Sequence, residues 1–219
     1  MCAARIPRAI VFDLDGVLWD SNSLHDESFR SVSAANGLPS VAYDNIAGMI
    51  TPEAWRAIAD QHSLEPLSDH LIEKLTAEKR ATFLMLAERV EIREEDLARL
   101  ANEFPQAEWG IVTGASRGTL DAFLRRTRFA KRFVVAISAD DGYASKPAPA
   151  SYLAAFEAIG VQPSDALIFE DSSAGLAAAL ASGAHVVHVT NDPSGCANPE
   201  HVQNAQILAC VSRPGEFSS

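Results

Sequence analysis

Two carboxylates two residues apart, Asp13 and Asp15, follow the apolar run Ala9–Phe12 and are followed at once by Gly16. A strand buried on both faces has no stability reason to end in paired acids, because a buried carboxylate is costly unless a partner or cation meets it. Other apolar runs end just as abruptly in polar groups: Thr113-Gly114 follows 109–112, and Glu170-Asp171 follows 166–169. Lys146-Pro147 stands in the stretch between them.

A carboxylate can attack a phosphoryl group to give an acyl phosphate if something offsets the repulsion between the two anions. Asp13, Asp15, Glu170 and Asp171 are too acidic a set to gather without a cation. Magnesium suits them, because it takes one or two carboxylates together with waters and a phosphate oxygen. Lys146 adds compensating charge, and Pro147 biases it towards extended backbone that reaches inward from a loop. Asp15 can leave the strand on the other side of the chain from Asp13 and act as general acid, then base. Gly16 lets the chain turn there. The Thr113 hydroxyl and the Gly114 amide can hold phosphate oxygens at a strand-to-helix turn, where a helix N-terminus favours anions. Thr113 also stands where it can cap the helix starting near Ser116, and Ser116 is a further candidate contact to substrate.

These groups need a scaffold that gathers strand ends on one rim. Short apolar strands are expected at Ala9–Phe12, 109–112, 133–137, 166–169 and 185–189, with helices at 97–103, 116–125, 150–159 and 172–182 between them. That alternation implies right-handed crossovers and an α/β fold: a Rossmann-like three-layer core whose parallel sheet binds ligands beyond its strands' carboxyl ends. One more strand is expected at 206–211. Residues 21–92 read differently. Helical stripes run over 28–35, through Trp55/Ile58/Ala59/His62, and through Leu71/Ile72/Leu75 to Leu84/Met85, with breaks at Gly37-Leu38-Pro39, Thr51-Pro52 and Glu65-Pro66. Thr51 is the expected N-cap before Pro52. The expected organisation is a core of 1–20 and 93–219 with an inserted α-helical cap domain of 21–92.

The 219 residues suffice for one domain with a smaller insert. A net charge of -11 disfavours nucleic acid and anionic membranes, but not a small phosphorylated ligand, which needs only local positive charge. Cys2, Cys196 and Cys210 are odd in number and show no metal spacing, which suggests a reducing, cytoplasmic setting with inert thiols. The first apolar stretch is interrupted by Asp13 and Asp15, so it cannot serve as a signal segment, and no stretch is as long as a membrane span. The oligomeric state is open, with a monomer plausible.

In this order, Asp13-Leu14-Asp15-Gly16-Val17, Ile111-Val112-Thr113-Gly114, Ser145-Lys146-Pro147 and 169–175 resemble the motifs of the haloacid-dehalogenase-like hydrolase superfamily. The likeness is to its phosphatase and β-phosphoglucomutase branch and covers essentially the whole chain. The resemblance implies Asp13 as nucleophile, Asp15 as acid/base and metal ligand through its carbonyl, Thr113 and Lys146 on the phosphate, and Asp171 on Mg2+. Glu170 is implied as a second carboxylate on the metal side, or as an orienting hydrogen-bond partner. The implied activity is hydrolysis of a small phosphorylated metabolite, with a phosphomutase as the alternative. Mutases of the branch carry an arginine after the cap's turn where this chain has Gly48-Met49-Ile50-Thr51, although Arg56 or Lys79 can stand in. A dehalogenase does not need Asp15, and a mere binding module does not need Asp13 or Lys146. His25 either faces the site or is an ordinary helix histidine, and Arg117 either reaches a substrate anion or is solvated. Trp19 and Trp55 are expected to pack.

Overall fold

The computed structural model describes residues 6–40, 42–47, 49–190, 207–211 and 214, the segment 207–211 as backbone only. Cys2, Gly48, Cys196 and Gln206 lie outside the described residues, as does the side chain of Cys210.

Six parallel strands form one sheet in the order β3-β2-β1-β4-β5-β6. They are β1 (Ala9–Phe12), β2 (Glu108–Val112), β3 (Phe133–Ile137), β4 (Ala166–Glu170), β5 (His185–Val189) and β6 (Ile207–Val211). This is the doubly wound order, whose direction of winding reverses between β1 and β4 and leaves a crevice at their carboxyl ends. β1 is fully buried on both faces, as its run of Ala, Ile, Val and Phe requires. Phe12 stacks on Phe169 at 5.4 Å and meets Trp109 edge-on at 5.4 Å, so the strand that carries Asp13 is locked from both neighbours.

On one face α6 (Ala150–Ile159) and α7 (Ser173–Ala181) cover a core of Val11, Val112, Tyr152, Phe156, Ile168 and Val186. On the other, α4 (Glu94–Glu103) and α5 (Arg117–Arg126) enclose Phe12, Trp19, Leu100, Trp109 and Phe123. α4 starts three residues earlier than the apolar spacing predicts, because Glu94, Glu95 and Asp96 give no periodic signal but complement the positive end of the helix.

The chain leaves this core after Trp19 and returns at Ile92. The two crossings run side by side: Trp19 bridges Ile92, and the Arg93 amide donates to the Leu18 carbonyl at 3.0 Å. Between them lie α1 (Asn22–Ala35), α2 (Thr51–Gln61) and α3 (Asp69–Leu86). Phe29, Val32, Trp55, Ile58 and Leu75 give this helical insert its own apolar cluster. α3 does not stay within it: Phe83, with Ala87 and Val90 beyond, joins the core cluster, so one continuous helix straddles both bodies. Thr51 is not the N-cap of α2. Ile50 holds that position and Thr51 is already helical, its side chain lining the cavity described below.

Candidate active site

Asp13 is the first residue beyond β1, and its amide donates to the Phe169 carbonyl at 2.9 Å, so its position is set by the β1–β4 pairing. Lys146 Nζ lies 2.5 Å from Asp13 Oδ1 and also donates to Glu170 and to the Val112 carbonyl, 3.3 Å away. Burial would lower the pKa of Lys146, but Asp13 and Glu170 outweigh it and raise it well above the ordinary lysine value, which keeps the ammonium charged. The Lys146–Pro147 peptide is cis.

Asp15 faces a different set of groups. Its Oδ1 accepts from Trp19 Nε1 at 2.9 Å and from the Ser21 hydroxyl, with His25 Nε2 at 2.9 Å. Burial pushes its carboxyl up, but His25 and these hydrogen bonds outweigh it and hold Asp15 below the usual carboxylate range. The His25 ring is turned off the line of a well-formed hydrogen bond to Asp15, so that contact is electrostatic. On its far side, His25 Nδ1 lies 2.6 Å from Lys79 Nζ. An ammonium can only donate, which places the ring proton on Nε2, towards Asp15. Burial lowers the pKa of His25, which keeps the ring neutral, and lowers that of Lys79 to about 8. The imidazole is sandwiched between Phe83 at 4.2 Å and Tyr43 at 5.3 Å, so Asp15, His25 and Lys79 form a packed row. Trp19 therefore does more than pack: its indole positions Asp15.

Asp171 and Glu170 divide sharply. Glu170 is the last residue of β4 and fully buried, and Lys146 Nζ, the Tyr152 hydroxyl, the Asp171 and Ser172 amides and the Ser172 hydroxyl all donate to it. Its oxygens are consumed. Of the two roles expected of Glu170, these contacts are those of the orienting one: the strand runs one residue further than its apolar run and turns this side chain inward. Gly175 makes room for it, since a Cβ there would run into the Glu170 carboxylate. Asp171, by contrast, has one weak neutral partner, Asn22 Nδ2 at 3.4 Å. Burial and the nearby Glu170 push Asp171 up to about 7. Gly16, at φ +79°, is needed twice: for that backbone angle, and because a Cβ would collide with Asp171 Oδ2.

Burial, Glu170, Asp171 and Asp15 likewise push Asp13 well up, against the pull of Lys146. Asp13, Glu170 and Asp171 around Lys146 leave an excess of buried negative charge that a hard divalent cation would neutralise. Among the described residues no three His, Cys, Asp or Glu side chains already converge at ligand spacing. That is compatible with a cation that takes one or two carboxylates and completes its sphere with water and phosphate oxygens. Asp13 and Asp171, both on the cavity wall, are carboxylates of the kind such a cation would take.

Across the crevice, Thr113, Gly114 and Ala115 lead into α5, whose N-cap Ser116 accepts from the Thr119 amide at 3.3 Å. The Thr113 hydroxyl accepts from the Ala115 amide at 2.9 Å, which leaves its own proton free to donate. A cavity of about 50 Å³ is lined by Asp13, Asp15, Thr113, Gly114, Lys146 and Asp171 from the core, and by His25, Tyr43, Lys79 and Arg80 from the insert. Ser116 also lines it. Arg117 does not: its guanidinium turns to the Ala136 carbonyl and, at 2.5 Å, to Asp141, since the first turn of α5 faces the end of β3. Tyr43, Arg80 and Asn22 escape motif reasoning because each belongs to an insert helix or turn whose placement only tertiary packing decides. Lys79 alone had a signal, as an ionisable residue in a helix stripe that otherwise reads as apolar.

The family model for haloacid dehalogenase-like hydrolases matches residues 7–183. The chain is 28% identical over 193 residues to a phosphorylated carbohydrates phosphatase of Thermotoga maritima, covering 84% of this chain and 87% of that one. It is 29% identical over 187 residues to a fructose-1-phosphate phosphatase of Escherichia coli, covering 82% and 95%. Among solved structures, a β-phosphoglucomutase of Clostridium difficile superposes with a TM-score of 0.80 at 20% identity, covering 97% and 93%, a likeness of fold.

Proposed function

The chain belongs to the haloacid dehalogenase-like hydrolase family, and on that premise we propose that it is a Mg2+-dependent phosphatase of small phosphorylated metabolites, of the sugar-phosphate class, working through an aspartyl-phosphate. We take 21–92 as the cap that closes over the substrate and 1–20 with 93–219 as the catalytic core. The observation that carries the reading is the Lys146–Asp13 contact of 2.5 Å at the winding reversal of the sheet, beside Asp171 and the start of α5. The names of the two phosphatase relatives support the substrate class.

In the first half-reaction an Asp13 carboxylate oxygen attacks phosphorus, the bond from phosphorus to the leaving oxygen breaks, and that oxygen takes a proton from Asp15. In the second, Asp15 accepts a proton from water as the water oxygen attacks phosphorus, and Asp13 departs as carboxylate with release of phosphate. Thr113, the Gly114 amide and Lys146 hold the phosphoryl oxygens throughout. The partners on Asp15 Oδ1 are those of its ionised form, ready for the second half; serving as acid requires them to loosen as the leaving group enters. Asp13, Asp171 and the Asp15 carbonyl would hold Mg2+, which would supply charge neutralisation between carboxylate and phosphate.

Asp13→Asn is expected to lower kcat for an aryl phosphate by about four orders of magnitude with melting temperature retained, and excess chelator is expected to stop the wild type reversibly. Substantial turnover in either case excludes the mechanism. A bisphosphate-primed isomerisation assay run in parallel separates this activity from a mutase.

A further inference from the structure

Three cations line the cavity, and two are committed. Lys146 serves Asp13 and Glu170, while Lys79 meets His25 and lies against the rings of Phe29 and Phe83 at 5.0 and 5.1 Å. Arg80, the next residue of α3, is only partly exposed and reaches across the seam to Asp140, in the turn after β3, with Nη2 2.9 Å from Oδ1. Its Nε–H is buried with no partner among the described residues. A guanidinium presents five N–H donors in a planar fork, and a buried donor without an acceptor is costly. The cavity thus contains an arginine whose fork is half used. Asp140 is itself shared, since its Oδ2 accepts from the Arg117 amide at 2.8 Å and would not be stranded if Arg80 left.

Much of the rest of the insert's wall offers a substrate no free charged group. Phe29, Ala47, Met49 and Phe83 are apolar, and His25 and Lys79 occupy each other. We propose that Arg80 is a specificity-determining residue that exchanges Asp140 for a second anionic group, carboxylate or phosphate, at the far end of the phosphomonoester. A planar anion can take Nε–H and an Nη–H side by side, satisfying the orphan donor that Asp140 does not reach. This rests on the phosphatase reading above, and names the class of substrate that the site takes.

The test is a ratio of kcat/KM values within matched pairs, with Mg2+ present: phosphoglycolate against ethyl phosphate for a carboxylate, and fructose-1,6-bisphosphate against fructose-1-phosphate for a second phosphate. In Arg80→Gln the anionic-to-neutral ratio is expected to fall roughly 10- to 100-fold in the pair that matches the natural anion, mainly through KM. Arg80→Lys, which keeps the charge and loses the fork, should fall between. Asp140→Asn frees Arg80, so its ratio should hold or rise. The proposal is overturned if Arg80→Gln leaves both ratios within about twofold of wild type, or if Asp140→Asn lowers the ratio as Arg80→Gln does, which would make the pair only a latch between insert and core. A wild type that hydrolyses none of these esters and no aryl phosphate fails the phosphatase reading itself. A normal aryl-phosphate rate with charge-blind Arg80 variants fails this inference alone.

Discussion

Lys146 serves two carboxylates that have different work to do. Glu170, fully buried and saturated by hydrogen bonds, fixes the ammonium in place; Asp13, on the cavity side, is left with one strong partner and an open flank. A charged hydrogen-bond partner that orients a functional group typically matters 10- to 100-fold when removed. Glu170→Gln is therefore expected to lower kcat about 10- to 100-fold without abolishing it, and to lower the melting temperature. Activity equal to wild type would show that Lys146 needs no such anchor. By the same contrast Asp171, whose hydrogen-bond partner among the described residues is Asn22 at 3.4 Å, is the carboxylate proposed for the cation.

α3 is the element that joins the insert to the chemistry. Its Ile72 and Leu75 are buried among the insert helices, its Phe83 in the core, and Lys79 and Arg80 fall at the seam between them. Lys79 is buried with a pKa lowered to about 8, chiefly by desolvation. Below that pH its charge costs stability on the order of 3 kcal/mol, and the cost fades between about 8 and 10.5 as the unfolded chain also loses the proton. Lys79→Met should accordingly raise thermal stability most below pH 8, with the gain shrinking towards pH 10.5, while activity falls because the row to Asp15 is broken. A Lys79→Met variant less stable than wild type at pH 7 would contradict this. The same element shows what was legible beforehand. The apolar stripe of α3 and the three polar strand ends could be read from local pattern, since Asp13, Thr113 and Asp171 are fixed by strand ends that carry their own apolar signal. For Glu170 the sequence left metal-side and orienting roles open, because one residue of strand length changes which way a side chain faces. For Arg117 it left substrate contact and solvation open, because helix phase at a first turn is not encoded in the turn itself. Tyr43, Arg80 and Trp19 act through contacts between segments far apart or through a loop whose path no periodicity describes.

At the level of the whole molecule, the doubly wound sheet brings β1 and β4 together at the winding reversal, where Asp13, Glu170 and Asp171 gather around Lys146. Asp171, pushed up to about 7, is ionised in the unfolded chain well before it is ionised in the folded one. Its contribution to stability thus declines as pH rises from the ordinary carboxylate range through about 7, and a cation that binds the ionised form reverses that loss. The rise in melting temperature on adding Mg2+ should therefore be larger at pH 8 than at pH 5 and should vanish in Asp171→Asn; a shift independent of pH would place the cation elsewhere. The central claim is tested most directly by acid-quenching the enzyme during turnover of a radiolabelled phosphoester with Mg2+ and mapping the label by peptide. The account predicts an acid-stable, hydroxylamine-labile phosphate on Asp13 that forms and decays at rates compatible with kcat; label on another residue, or none in the presence of full turnover, would contradict it.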